Sequence, residues 1–100
     1  MLIAFSISPS GGDETGGVSA AVAEAVKVVR DSGLPCETNA MFTNIEGEWD
    51  DLMAVVKKCQ ERMRQDSNRI SCSIKIDWRK GKNDQLHSKI ESIKRRLKKI

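Results

Sequence analysis

Nine consecutive residues, Ile70 to Trp78, alternate strictly between apolar and polar. Ile70, Cys72, Ile74, Ile76 and Trp78 fall on one side, and Ser71, Ser73, Lys75 and Asp77 on the other. A period of two is the repeat of a β-strand, and apolar residues on one side only mark a strand with one packed face. The chain must therefore build a sheet and cover it on at least that face. Leu2 to Ser8 repeats the pattern, with Ile3, Phe5 and Ile7 opposite Leu2, Ala4, Ser6 and Ser8.

Between these strands the period changes. Val18, Val22, Val26 and Val29 lie on one face of a helix spanning 18–32, widened by Ala25. Gly17 or Ser19 suits its start, and Gly33 followed by Pro35 stops it. Residues 36–46 show no helical period and read as two short strands or one bent pair, with Asn39 or Asn44 at a turn. Gly47 opens a second helix, with Glu48, Asp50 and Asp51 where the dipole favours negative charge. Its buried stripe is Leu52, Val55, Val56, Cys59 and Met63. After a polar loop over 79–83, Asp84 is placed to cap a last helix. Leu86, Ile90, Ile93, Leu97 and Ile100 form a narrow coiled-coil-type seam on it. Ending on that seam, the chain is expected to have a packed terminus.

The order is β-α-β-β-α-β plus a helix, the split βαβ arrangement of a ferredoxin-like α+β fold. One hundred residues make one domain, 1–100. Two helices cover one sheet face, and the last helix, a partner sheet or both are expected on the other. A chain this short spends most apolar side chains on packing, so a roomy pocket forms more easily between subunits.

Several function classes are disfavoured. No apolar stretch is long enough to span a bilayer, and the N-terminus lacks a basic region and a full signal-peptide core. Cys36, Cys59 and Cys72 cannot all pair and fit no zinc spacing, which points to a reducing cytoplasm and no metal. Residues 1–78 carry 8 basic and 12 acidic side chains, a net −4, whereas residues 79–100 carry 9 and 2, a net +7. Such a tail is usually the solvated side of a helix, so nucleic-acid binding is not expected. His87, the one histidine, lies off the seam, and no nucleophile–histidine arrangement can be built. No catalytic residue is expected.

Three stretches carry a resemblance. They are Val18-Ser19 running into 22–29, the run Thr43-Asn44-Ile45-Glu46-Gly47-Glu48-Trp49-Asp50, and Ser73-Ile74-Lys75-Ile76-Asp77-Trp78-Arg79. In this order and spacing the chain resembles the thiamine-binding protein family, and the run from Ile45 to Asp50 is the most distinctive piece. The resemblance implies a ferredoxin-like subunit, assembly through its sheets into dimers or tetramers, and a site near subunit contacts for thiamine or its hydroxymethylpyrimidine half. No cofactor is implied. The chain departs from the family pattern at Met41-Phe42, where a small Met-Gly pair is usual, and in a longer first loop holding four glycines between Pro9 and Val18.

With that ligand in view, Glu46 is a candidate to hold the aminopyrimidine or the cationic ring. At a strand end before a helix it is equally a residue that satisfies backbone N–H groups. Thr43 and Asn44 offer a hydroxyl and an amide to a pyrimidine edge, or local turn bonds. Trp49 is the candidate to stack on a ring, although core or interface packing is the commoner role of both tryptophans. Ser8 begins the loop expected to close over the ligand. Ser6, Ser8, Ser71 and Ser73 would form a polar lining if their faces coincide. Asp77 and Arg79 are placed to pair with each other or across subunits, and Cys59 and Cys72 read as inert. Two other functions are weighed: a regulatory or interaction domain with an empty pocket plugged by Phe42, and an enzyme relying on Glu46 or Cys36.

Overall fold

The structure, a computed structural model, describes residues 1–9, 19–81 and 83–98. The glycine-rich loop and Val18 lie outside the described residues, as does Ile100. Seven elements follow one another: β1 (Leu2–Pro9), α1 (Ser19–Asp31), β2 (Cys36–Thr38), β3 (Thr43–Glu46), α2 (Trp49–Arg64), β4 (Ile70–Asp77) and α3 (Gln85–Leu97). The strands form one antiparallel sheet in the order β2-β3-β1-β4, which is the ferredoxin-like arrangement with an added C-terminal helix.

Register assigns the faces. Ile3 lies between Ile45 and Ile76, and Phe5 between Thr43 and Ile74, so these residues share one face. α1 and α2 pack on it. Ala25 and Val29 of α1, and Leu52, Val55, Val56, Cys59 and Met63 of α2, close a single core over Ile3, Phe5, Ile7 and Ile45. The apolar stripes expected of both helices are the stripes that pack. α1 ends in Gly33 at φ 76°, a left-handed position that favours glycine.

The alternation of β4 is present but its burial is not. Ile70 and Cys72 pack against the core, whereas Ile74 and Ile76 remain 40 % and 45 % exposed and Trp78 is exposed beyond the strand end. β4 is the edge of the sheet, and α2, packed over β1 and β4, leaves Ile74 and Ile76 partly uncovered. Period two states which side is apolar, not what covers it.

On the opposite face Ser6 pairs with Ser73 and Ser8 with Ser71, so the four serines do share a side. None of them is buried. Only the start of α3 lies on this face. Leu86 is buried at 5 % exposure, but Ile90, Ile93 and Leu97 are 41 %, 59 % and 62 % exposed. The seam expected to pack is thus open from Ile90 to Leu97.

Candidate functional site

The hairpin between β2 and β3 is set by Asn39. Its side-chain oxygen accepts from the N–H groups of Met41 and Phe42, both at 2.9 Å, and its own N–H donates to the Phe42 carbonyl at 2.9 Å. This turn delivers the chain to Thr43, the first residue of β3, so the β1–β3 ladder stops at the pair Phe5–Thr43. β1 runs on to Pro9, paired among the described residues with β4 alone. Among the described residues, the edge of β1 beyond Phe5 therefore presents backbone donors and acceptors with no strand beside them.

A cavity of about 210 Å³ lies against that edge. Ser6 to Ser8 of β1, the turn from Thr38 to Thr43, and Val22, Ala25 and Val26 of α1 line it. Its apolar wall is Phe5, Ile7 and the α1 residues. Thr43 is buried, with its hydroxyl 3.4 Å from that of Thr38. None of its described walls carries an ionisable side chain. The cavity thus combines a flat apolar surface, two threonine hydroxyls and a strand edge. That set suits a planar, uncharged ring with hydrogen-bonding atoms on its rim.

Of the five candidate residues, Ser8 and Thr43 meet here. Ser8 reaches the cavity at the strand edge, since its side chain belongs to the serine face. Asn44 shares its face with Ala4 and Glu37, across the sheet from the core. Trp49 is the first residue of α2 and half exposed. Glu46 lies at the other end of β3. Its carboxylate is buried and accepts from the backbone N–H groups of Gln85 at 2.8 Å and Leu86 at 3.1 Å. The backbone-satisfying role weighed for Glu46 is therefore occupied, with α3 and not α2 as the helix served.

Asp84, expected to cap α3, stands at the N-cap position in a left-handed conformation (φ 55°) and makes no capping hydrogen bond. Its carboxylate lies 3.0 Å from Nδ1 of the exposed His87. Asp77 pairs with Lys89 of α3, and that ammonium, by hydrogen bond and charge, holds the Asp77 carboxyl below the usual carboxylate range. A second concavity of about 400 Å³ adjoins this region, with Glu46, Glu48, Asp51 and Asp84 among its walls. Among the described residues no cluster of carboxylates, imidazoles and thiols is placed to hold a metal ion. Nor is any helix there long and apolar enough to cross a membrane.

Cys59 is fully buried and its Sγ donates to the Ala25 carbonyl at 3.5 Å. Burial first, then the neighbouring Cys72, pushes the thiol up to about 11. A thiol of that kind is a poor nucleophile. Native protein treated with iodoacetamide at pH 8 is expected to leave Cys59 unmodified, with Cys36 modified first. Mass mapping that finds Cys59 alkylated before unfolding would contradict this packing.

The sequence model of the thiamine-binding protein family matches residues 3–94. The chain belongs to the thiamine-binding protein family. Among its relatives are the UPF0045 proteins. One from Mycobacterium bovis is 47 % identical over 98 residues, covering 97 % of this chain and 94 % of its own. One from Bacillus subtilis is 37 % identical over 91 residues, covering 86 % and 88 %. The crystal structure of a hypothetical protein from Methanocaldococcus jannaschii superposes with a TM-score of 0.83 at 33 % identity, over 93 % of this chain and 94 % of that one. A Thermotoga maritima protein, provisionally assigned to thiamine biosynthesis or salvage, superposes at 0.80 with 21 % identity, over 92 % and 96 %, which speaks for the fold alone.

Proposed function

We propose that the chain binds thiamine or its hydroxymethylpyrimidine half in the cavity beside β1, without chemical change to the ligand, as a cytoplasmic homo-oligomer. The observation that carries this reading is the strand edge that the other described strands leave open beyond Phe5, beside an apolar wall and Thr43. An aminopyrimidine alternates donors and acceptors on its rim, as an open strand edge does. Ser8 and Thr43 are the proposed ligand contacts, with Phe42 beside them as the residue that reshapes the site relative to the family's usual small pair.

Size and charge favour the pyrimidine half. The cavity is smaller than the roughly 300–1,000 Å³ of sites for drug-sized ligands. Its described walls also offer the thiazolium cation no carboxylate. The thiazolium would then project outward. Family membership supports a small-molecule ligand, and three free thiols agree with a reducing compartment.

Calorimetric titration with thiamine and, separately, hydroxymethylpyrimidine tests the reading, with the mass in solution measured by light scattering. Saturable binding of both is expected, within about tenfold of each other. Thr43→Val, which keeps the shape and removes the hydroxyl, is expected to weaken binding by about tenfold, the worth of one hydrogen bond of roughly 1–1.5 kcal/mol. No heat from either ligand with a folded protein would sink the proposal.

A further inference from the structure

α3 leaves the body of the molecule. Its first two N–H groups are held by Glu46 on β3, and one turn later Lys89 reaches Asp77 on β4, the outermost strand. The helix has then crossed the sheet, and residues 90–97 rise about 10 Å further along its axis. The seam becomes more exposed along this path, from Leu86 through Ile90 and Ile93 to Leu97. The radius of gyration, 15.3 Å, exceeds the roughly 13 Å of a compact domain of this length, as an overhanging element requires.

A second open apolar surface lies along the same edge. α2 begins where Gly47 bonds to Met1, the sheet end at which Leu2 pairs with Asp77, and it packs against β1 and β4. It therefore runs beside β4. Trp49 of α2, Ile74 and Ile76 of β4, and Trp78 just past the end of β4 are all left exposed. Glu48, Asp50 and Asp51 surround Trp49 with exposed carboxylates.

We infer that the overhanging half of α3 seats in the α2–β4 groove of a second copy of the chain, and that two copies exchange these contacts reciprocally. The seam of Ile90, Ile93 and Leu97 then meets the partner's surface of Ile74, Ile76 and Trp78. The charges agree. The flanks of α3 carry Lys94, Arg95, Arg96 and Lys98, and the groove ends in the acids of α2. Pairing α3 with α3 would instead oppose like charges. A bilayer is a poorer occupant, because the seam is narrow and α3 carries no aromatic side chain on it. The inference rests on the self-association contained in the proposed function and names its surface.

Two charged substitutions test it in the full chain, with helical content checked by circular dichroism. Both sites are exposed, so folding is expected to survive. Ile93→Glu and Ile76→Lys are each expected to halve the mass seen by light scattering. An equimolar mixture of the two is expected to restore it, because a mixed pair keeps one native contact and sets glutamate against lysine in the other. Variants that keep the native mass, or a mixture that fails to recover it, would overturn this contact while leaving self-association in place. A native protein that is monomeric at about 100 μM would overturn both readings, and its binding to phosphatidylserine vesicles would make lipid the occupant of the seam.

Discussion

Glu46→Ala is expected to detach α3. The carboxylate is the partner of the Gln85 and Leu86 N–H groups, and it is buried over them. Hydrogen bonds to a charged acceptor contribute about 1.5–3 kcal/mol each, and a lost helix cap costs about 0.5–2 kcal/mol. A loss of about 2–3 kcal/mol is expected, because the two bonds share one carboxylate and water re-solvates the freed amides. Amide hydrogen exchange locates it: Gln85 and Leu86 should lose protection before the core strands do. Glu46→Gln keeps one acceptor oxygen and should lie between. Unchanged protection at both amides in the alanine variant would show that Leu86 and the Asp77–Lys89 pair suffice to hold the helix.

A larger loss is expected from Leu52→Ala. Leu52 is fully buried, one turn into α2, where its side chain packs over Gly47 and the sheet. Deleting a buried leucine to alanine costs about 2–5 kcal/mol, from transfer and from the cavity left behind. For a domain of this size about 3 kcal/mol corresponds to a fall of roughly 12–24 °C in Tm. Total stability is typically about 5–15 kcal/mol, so the variant should still fold at low temperature. Differential scanning calorimetry reads the shift. A change below 3 °C would mean that α2 repacks, and that the core is looser than its burial indicates.

The architecture was legible because both periods are clean. The two strands of period two became β1 and β4, and the stripe from Leu52 to Met63 became the packed face of α2. The turn between the short strands fell at Asn39, one of the two asparagines open to that role. What could not be read was distance in space. Glu46 and Gln85 stand 39 residues apart, and no local pattern joins a strand-end acid to a remote helix. Asp84 has the right position and residue type for a cap, but its backbone turned left-handed and its carboxylate turned to His87. The cavity was half legible. Thr43 and Ser8 were singled out for their polar atoms, but the strand edge between them is a feature of unequal strand lengths, which side chains do not advertise. Burial of β4 and α3 was also beyond reach, since an apolar repeat looks the same whether its cover comes from the same chain or from another.

The central place of β1 sets the order in which the molecule can be assembled. Of the four strands of this sheet, the first to be synthesised lies between β3 and β4, and its longest ladder is with β4, whose residues begin at Ile70. A growing chain can close α1, β2, β3 and α2 around one side of β1 as they appear, but the other side waits for the last third of the sequence. Pairings between such distant segments are slow to form, and unpaired strand edges invite intermolecular pairing while they last. Until β4 arrives, the serine-bearing edge of β1 is the exposed flank of a three-stranded intermediate, and the small polar side chains on one of its faces keep that flank less adhesive than an aliphatic strand would be.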